Sequence, residues 1–171
     1  METNCIDFTN GWTDNSKNGI LTNEDLRFFY YDVGLNELSK CSVLYTWNDD
    51  IISYLKENNI KVTVVGDGCS CSQKKIQKDS ICFKIKGEKD EKGQYTETYP
   101  EAFFRHIRNA FAHYSIKRQQ DYYLIVDVNG SGQKTMTAWI KCDILKQLCF
   151  MFFDQRETKI EELDNVSRID I

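Results

Sequence analysis

The sequence predicts a mainly α-helical fold with a small β-hairpin and extra short strands, built as a single domain over residues 1–171. Four segments combine a capping residue with apolar residues at helical spacing, and they begin at Thr22, Asn48, Thr98 and Asp143. Two strand-like segments, 121–128 and 134–140, flank the turn sequence NGSG and predict the hairpin.

The first two predicted helices lie in residues 22–59. Thr22 is placed to cap the free backbone amides of the first, and Asp25 lies on the favourable side of its dipole. Its apolar residues predict a buried stripe, which includes Leu26, Phe29, Tyr30, Val33, Leu38, Cys41, Leu44 and Tyr45. The second helix is expected over 51–59, with its cap at Asn48.

The middle of the chain, residues 61–97, is expected to be an insertion or loop region with short strands. Segment 61–66 is rich in β-branched residues, and segment 81–87 alternates apolar with other residues, as a strand does. The glycines and serines between them predict a loop, in which 74–78 can form a helical turn. The charged stretch 88–94 is predicted to be a solvated loop.

The last two predicted helices bracket the hairpin. Thr98 and Glu101 have the spacing of a capping box, and Pro100 is tolerated in a first helical turn. The final helix is expected over 144–153 after Asp143, with a near-continuous apolar surface that implies docking against the core or a partner.

The composition of the chain limits the classes of function that the protein can have. A net charge of -4 and a pI near 5.3 argue against a protein that coats nucleic acid by bulk electrostatics, so any RNA contact must be local. No apolar stretch of membrane-spanning length and no signal-like segment is present, which predicts a soluble cytoplasmic protein with no membrane partner.

The cysteines predict neither disulfides nor a metal centre. Their number, seven, is odd, and they are scattered through apolar segments, so reduced buried thiols are expected. Cys69 and Cys71 are the only closely spaced pair, and zinc needs about four ligands with a second pair to match. We therefore expect no metal site and no cofactor.

One segment concentrates the residues that carry site chemistry. From residue 102 to residue 120 there is no acidic residue, and both histidines of the chain lie inside. The positive and imidazole side chains of this segment are Arg105, His106, Arg108, His113, Lys117 and Arg118. Such a concentration attracts phosphates over short range even in an acidic protein, although a solvated basic helix face paired with carboxylates elsewhere is the alternative.

Within that segment, the string RNAFAH from Arg108 to His113 resembles the signature of the HEPN ribonucleases. The signature is an arginine, a polar residue and then a histidine, with four to six positions between arginine and histidine; four lie between them here. The match resembles the small prokaryotic and plasmid-encoded group of that family. Relatives often have a glycine after the histidine, where this chain has Tyr114.

The resemblance implies a HEPN-like helical bundle and a metal-independent endoribonuclease. Cleavage would proceed through the 2′-hydroxyl of the RNA, with His113 moving a proton, Arg108 holding the phosphate and Asn109 orienting either group. It also implies a homodimer, and a toxin or an antiviral defence effector with an antitoxin or a nucleotidyltransferase-like protein as partner. Auxiliary RNA-binding roles are expected for Arg105, His106, Tyr114, Lys117 and Arg118.

Helical geometry limits how one chain could build this centre. Five residues at about 100° each place Arg108 and His113 roughly 140° apart on an unbroken helix. Either the helix ends near Ala112, or the arginine reaches round, or a second subunit completes the site. A non-catalytic module that binds RNA or a protein partner is the alternative function.

Overall fold

The central feature of the fold is a five-stranded mixed sheet with helices packed on one of its faces. The computed structural model describes residues 5–7, 19–38, 44–66, 71, 75–87, 91 and 96–167. The strands within them are β1 (Cys5–Asp7), β2 (Lys61–Val65), β3 (Lys75–Gln77), β4 (Ser80–Lys84), β5 (Ile116–Gln119), β6 (Tyr122–Val128) and β7 (Lys134–Lys141). The α-helices are α1 (Asn23–Arg27), α2 (Asn36–Leu38), α3 (Asp49–Glu57), α4 (Tyr99–Ala112) and α5 (Cys142–Ser167), with a π-helix, Phe28–Leu35, joining α1 to α2.

The predicted mainly α-helical bundle is wrong, because the middle of the chain belongs to the main sheet. The strand order is β2-β4-β7-β6-β5, in which β2 pairs in parallel with β4 and β4 pairs antiparallel with β7. Pairs such as Ser80 with Trp139 join positions far apart in the sequence. The fold is therefore α/β, and the helical bundle that the family resemblance implied is not formed.

The two faces of the sheet differ in what covers them. Alternate residues of β4, β6 and β7, such as Phe83, Ile125 and Ala138, join the helices in the main hydrophobic core. On the opposite face Leu124, Val126 and Trp139 form a smaller cluster with Ile76 of β3. β3 pairs with β1, and it occupies part of the segment where a helical turn was predicted, so that prediction was wrong.

Three of the four predicted helix starts are confirmed, whereas the predicted cap at Asp143 is wrong, because α5 already begins at Cys142. Thr22 and Thr98 each accept a hydrogen bond from the backbone amide three residues on, and Asp25 and Glu101 close the two capping boxes. Asn48 caps α3 in the same way, by accepting from the Ile51 amide. Each cap satisfies amides that a helix leaves unpaired in its first turn.

The predicted buried stripe of the first helix is only partly confirmed. Phe29 and Val33 are buried, whereas Leu26 and Tyr30 are exposed. The helix changes from α to π at Phe28, and the wider π turn moves the buried face away from the α-helical spacing.

The predicted hairpin is confirmed as β6 and β7, with a register shift between Asp127 and Val128. Predictions for Cys41, for Cys69 and for nearly all of 88–94 fall outside the described residues. Among the helices of the described ranges, none is both long enough and apolar enough to cross a membrane.

Candidate functional site

The C-terminal end of α4 brings the second half of the predicted motif to the surface. His113 is the C-cap residue and is exposed. The Tyr114 amide donates to the carbonyl of Phe111 at 3.0 Å, and the Ser115 amide donates to the carbonyl of Ala110 at 2.7 Å. These two bonds form a Schellman motif, which ends the helix sharply at Ala112. The helix therefore ends where the first of the three geometric options places its end.

Tyr114 occupies the left-handed position of this motif. Its φ is 55°, in the region that glycine adopts without penalty and that costs other residues about 1–2 kcal/mol. The side chain is 92% exposed, so packing of the ring does not offset the strain. Tyr114 thus adopts the left-handed conformation that favours glycine.

An apolar cavity of about 320 Å³ lies beside this helix end. Tyr114 and Lys117 both line it, together with apolar side chains from three parts of the chain, Ile20, Leu26, Phe111 and Ile116. Ile20 is itself 78% exposed. The helix end therefore combines an exposed imidazole, an exposed aromatic ring and an apolar recess.

The first half of the motif has a different environment. Arg108 lies within α4 and is partly buried, and its Nε is buried without a hydrogen-bond partner among the described residues. Asn109 is partly buried and hydrogen-bonds the Asp127 carboxylate of β6. The His113 amide donates to the Asn109 carbonyl at 2.9 Å, but within the described part of the chain no side-chain hydrogen bond joins Arg108 or Asn109 to His113.

His106 is buried between α4 and the sheet. Its Nδ1 lies 2.6 Å from Oδ2 of Asp127, and its Nε2 lies 2.6 Å from the backbone carbonyl of Lys84. Thr135 donates to the same Asp127 oxygen at 3.0 Å. Burial acts to raise the pKa of Asp127, but its contacts with His106 and the hydrogen bond from Thr135 together outweigh burial and hold that pKa below its usual range.

Two of the predicted RNA-contacting arginines are engaged in ion pairs. Arg105 is held by Glu97, with Nε 2.5 Å from the carboxylate. Arg118 binds both oxygens of Asp25, which is fully buried and also accepts from the Tyr123 hydroxyl. Burial acts to raise the pKa of Asp25, and the hydrogen bonds from Tyr123 and Arg118 bring it well below its usual range.

Apart from Arg108 and Asn109, the predicted site residues divide into two groups. Arg105, His106 and Arg118 face acidic partners inside the fold, as in the alternative of a basic face paired with carboxylates. His113, Tyr114 and Lys117 lie together at the end of α4. The sequence alone did not reveal Asp25 and Asp127 as partners, because the bonds of Arg118 to Asp25 and of His106 to Asp127 span 93 and 21 positions.

Comparison of the chain with protein-family models, with curated proteins and with solved structures gives no match, so the site is interpreted from its own geometry.

Proposed function

We propose that the protein binds single-stranded RNA at the C-terminal end of α4, with Tyr114 stacking on a base. The supporting observation is the 92% exposure of Tyr114 at a left-handed backbone position. A tyrosine there costs backbone strain and gains no packing, and such strain is typical of functional positions. Because every base has a π face, stacking on the ring needs no particular sequence.

Electrostatics at this helix end set limits on the binding. The C-terminus of a helix carries partial negative charge and does not attract phosphate by itself. Side chains must therefore meet the phosphates of the RNA, and Lys117 lines the cavity with Tyr114, while His113 directly precedes Tyr114 in the chain. With few phosphate contacts and a net charge of -4, the protein should bind weakly and only at low salt.

The cavity beside Tyr114 favours a nucleobase as the contacting group. It is lined mostly by apolar side chains, with Lys117 as a polar exception, so it suits a flat and weakly polar group better than a phosphate. A base stacked on Tyr114 would also cover part of the exposed apolar surface of Ile20 and Leu26. We further propose a cytoplasmic location, where single-stranded RNA is abundant.

Cleavage of the bound RNA is a second candidate function, and the exposed imidazole of His113 next to the stacking ring favours it. In this proposal His113 moves the proton during attack of the 2′-hydroxyl, Arg108 stabilises the phosphate and Asn109 positions it. A homodimer would bring Arg108 of a second copy towards His113. This arrangement suits a helix that ends at Ala112, between Arg108 and His113 of the same chain. A toxin or defence role, with an antitoxin or nucleotidyltransferase-like partner, would follow from this activity.

The binding proposal is tested by fluorescence anisotropy with a labelled RNA of about 12 nucleotides at low salt. Tyr114→Ala removes one stacking contact and should therefore bind this RNA about 5- to 150-fold more weakly than the unaltered protein. Tyr99→Ala is the matched control, because Tyr99 is an exposed tyrosine at the opposite end of the same helix. Equal affinity of the Tyr114→Ala variant and the unaltered protein would contradict the proposal.

The cleavage proposal is tested by incubating RNA with the protein in a chelator and analysing the product ends. Cyclic phosphate and 5′-hydroxyl ends are expected, and His113→Ala and Arg108→Ala should each lose about 100-fold or more of the rate. Cleavage that persists in both variants would contradict the assignment. Sedimentation of the active protein as a monomer would contradict the shared dimeric site. Binding of RNA without any cleavage product would leave RNA binding as the only one of the two functions that is supported.

A further inference from the structure

Two buried thiols meet on the sheet face opposite the main core. Cys82 lies in β4 and Cys71 precedes β3, and their side chains are 9% and 1% exposed. The two sulfur atoms are 2.9 Å apart. Cys71 is held in place by its backbone amide, which donates to the Lys134 carbonyl at 3.0 Å, and by its thiol, which donates to the Thr135 carbonyl at 3.5 Å.

We propose that Cys71 and Cys82 are a redox-modification site, at which hydrogen peroxide converts the two thiols into an intramolecular disulfide. The proposal is independent of RNA binding. A disulfide has a sulfur separation of 2.03–2.05 Å, so the sulfurs need to approach by only about 0.9 Å. A shift of this size is within reach of side-chain rotation, and the backbone pairing of β4 with β7 need not change.

The environment of the pair gives its two members different roles. The hydrogen-bonded contact between the two sulfurs lowers the pKa of the Cys82 thiol, and burial opposes this effect. The same contact, together with burial, raises the pKa of Cys71. Cys82 is also the more exposed of the two. Cys82 is therefore the thiol that reacts first, since the thiolate is the nucleophile.

The chemistry proceeds in two steps. The Cys82 thiolate attacks one oxygen of hydrogen peroxide, the O–O bond breaks, hydroxide leaves, and Cys82 becomes a sulfenic acid. The sulfur of Cys71 then attacks the Cys82 sulfur, the S–O bond breaks, and water leaves with the proton from Cys71. Peroxide is reduced, the two thiols are oxidised, and a small dithiol reductant restores them by exchange.

The other described thiols lack these features. Cys142 and Cys149 are buried in α5, and burial raises the pKa of Cys142 to about 11 and that of Cys149 further. Neither has a second sulfur within hydrogen-bond distance in the part of the chain that the structure describes. Among the described residues, no group of three side chains that could hold a metal ion includes the pair.

The experiment oxidises the full-length protein with a small excess of hydrogen peroxide, then blocks free thiols and maps the peptides by mass spectrometry. A peptide in which Cys71 is joined to Cys82, with loss of two hydrogen atoms, is expected, and a dithiol should reverse it. The oxidised protein should unfold about 6–12 °C higher than the reduced protein, as a crosslink closing a short loop implies.

Matched variants make the result decisive. Cys149→Ser should leave the crosslink and the temperature shift unchanged, whereas Cys71→Ala and Cys82→Ala should each abolish both. The peptide map of the unaltered protein does not depend on how well these variants fold. A crosslink of Cys82 to Cys69, sulfenic acid at Cys82 with no crosslink, or stoichiometric zinc in the purified protein would each overturn the proposal.

Discussion

The two histidines of α4 meet opposite environments although they lie only two turns apart. His106, in the middle of the helix, is 1% exposed, and both of its ring nitrogens face acceptors. His113, at the end of the helix, is exposed and has no side-chain hydrogen bond in the described part of the chain. The same residue type therefore serves as a structural link at one position and is available to a ligand at the other.

The difference arises from what packs against each part of the helix. The middle of α4 lies against β6, which carries Asp127 on its helix-facing side next to the register shift. The end of α4 extends to the Schellman turn, and the chain then returns as β5 at the edge of the sheet. Arg105, His106 and Arg118 are thus matched by carboxylates of the fold, while His113 remains exposed at the end of the helix.

Replacing each of the two histidines with alanine should give the largest difference in stability between the two environments. His106→Ala leaves the Asp127 carboxylate buried without its partner, so the free energy of unfolding should fall by about 3–5 kcal/mol. His113→Ala should change it by less than about 0.5 kcal/mol, as expected for an exposed residue. Urea denaturation with linear extrapolation measures both values.

A further variant tests whether the hydrogen bonds of His106 account for the loss. His106→Gln retains a side-chain donor and should recover part of the lost stability, because one acceptor is again satisfied. If the alanine variants at positions 106 and 113 lose equal amounts, the assignment of a structural role to one histidine alone is contradicted.

The acid sensitivity of the protein offers a second test of the buried pair. The pKa of Asp127 is lower in the folded protein than in the unfolded chain, so its contribution to stability is complete above about pH 4 and is lost as the pH falls further. Asp127→Asn should reduce the pH dependence of the unfolding free energy below about pH 4 by up to roughly 1.4 kcal/mol per pH unit.

The control for this prediction is an exposed carboxylate. Asp154→Asn, on the surface of α5, should leave the pH dependence unchanged. Some dependence will remain in Asp127→Asn, because the pKa of Asp25 is also lowered, by Tyr123 and Arg118 against the effect of burial. An Asp127→Asn profile parallel to that of the unaltered protein would show that the pair does not titrate as described.

Local features of the fold were predictable because their causes lie within a few residues. The caps at Thr22, Asn48 and Thr98 and the turn between β6 and β7 depend on side chains and backbone angles close in sequence. The fold class was not predictable, since it depends on the pairing of β4 with β7, whose paired residues lie more than fifty positions apart in the sequence. β5, with its sequence IKRQ, is short and polar, and its strand conformation is fixed by pairing with β6.

The candidate site shows the same division. Side-chain chemistry singled out the segment that contains His113 and Tyr114, and both lie at the surface. Helical periodicity already placed Arg108 on a different face from His113, but side-chain chemistry did not reveal that the Nε of Arg108 is buried. Nor could it detect that Cys71 meets Cys82, since that contact depends on how β4 and the residue before β3 pack against β7.

The smallest expected effect is the change in stability on replacing Tyr114, which lies at the exposed end of α4. Tyr114→Gly removes the strain of a left-handed tyrosine, and after the entropy that glycine adds to the unfolded chain it should raise the unfolding free energy by up to about 1 kcal/mol. Thermal unfolding should then occur up to about 4 °C higher. Tyr114→Ala keeps the strain and should show no gain, while both variants should lose affinity for RNA. A lower unfolding temperature for Tyr114→Gly would mean that the ring stabilises the fold, which would remove the reason to assign it to a ligand.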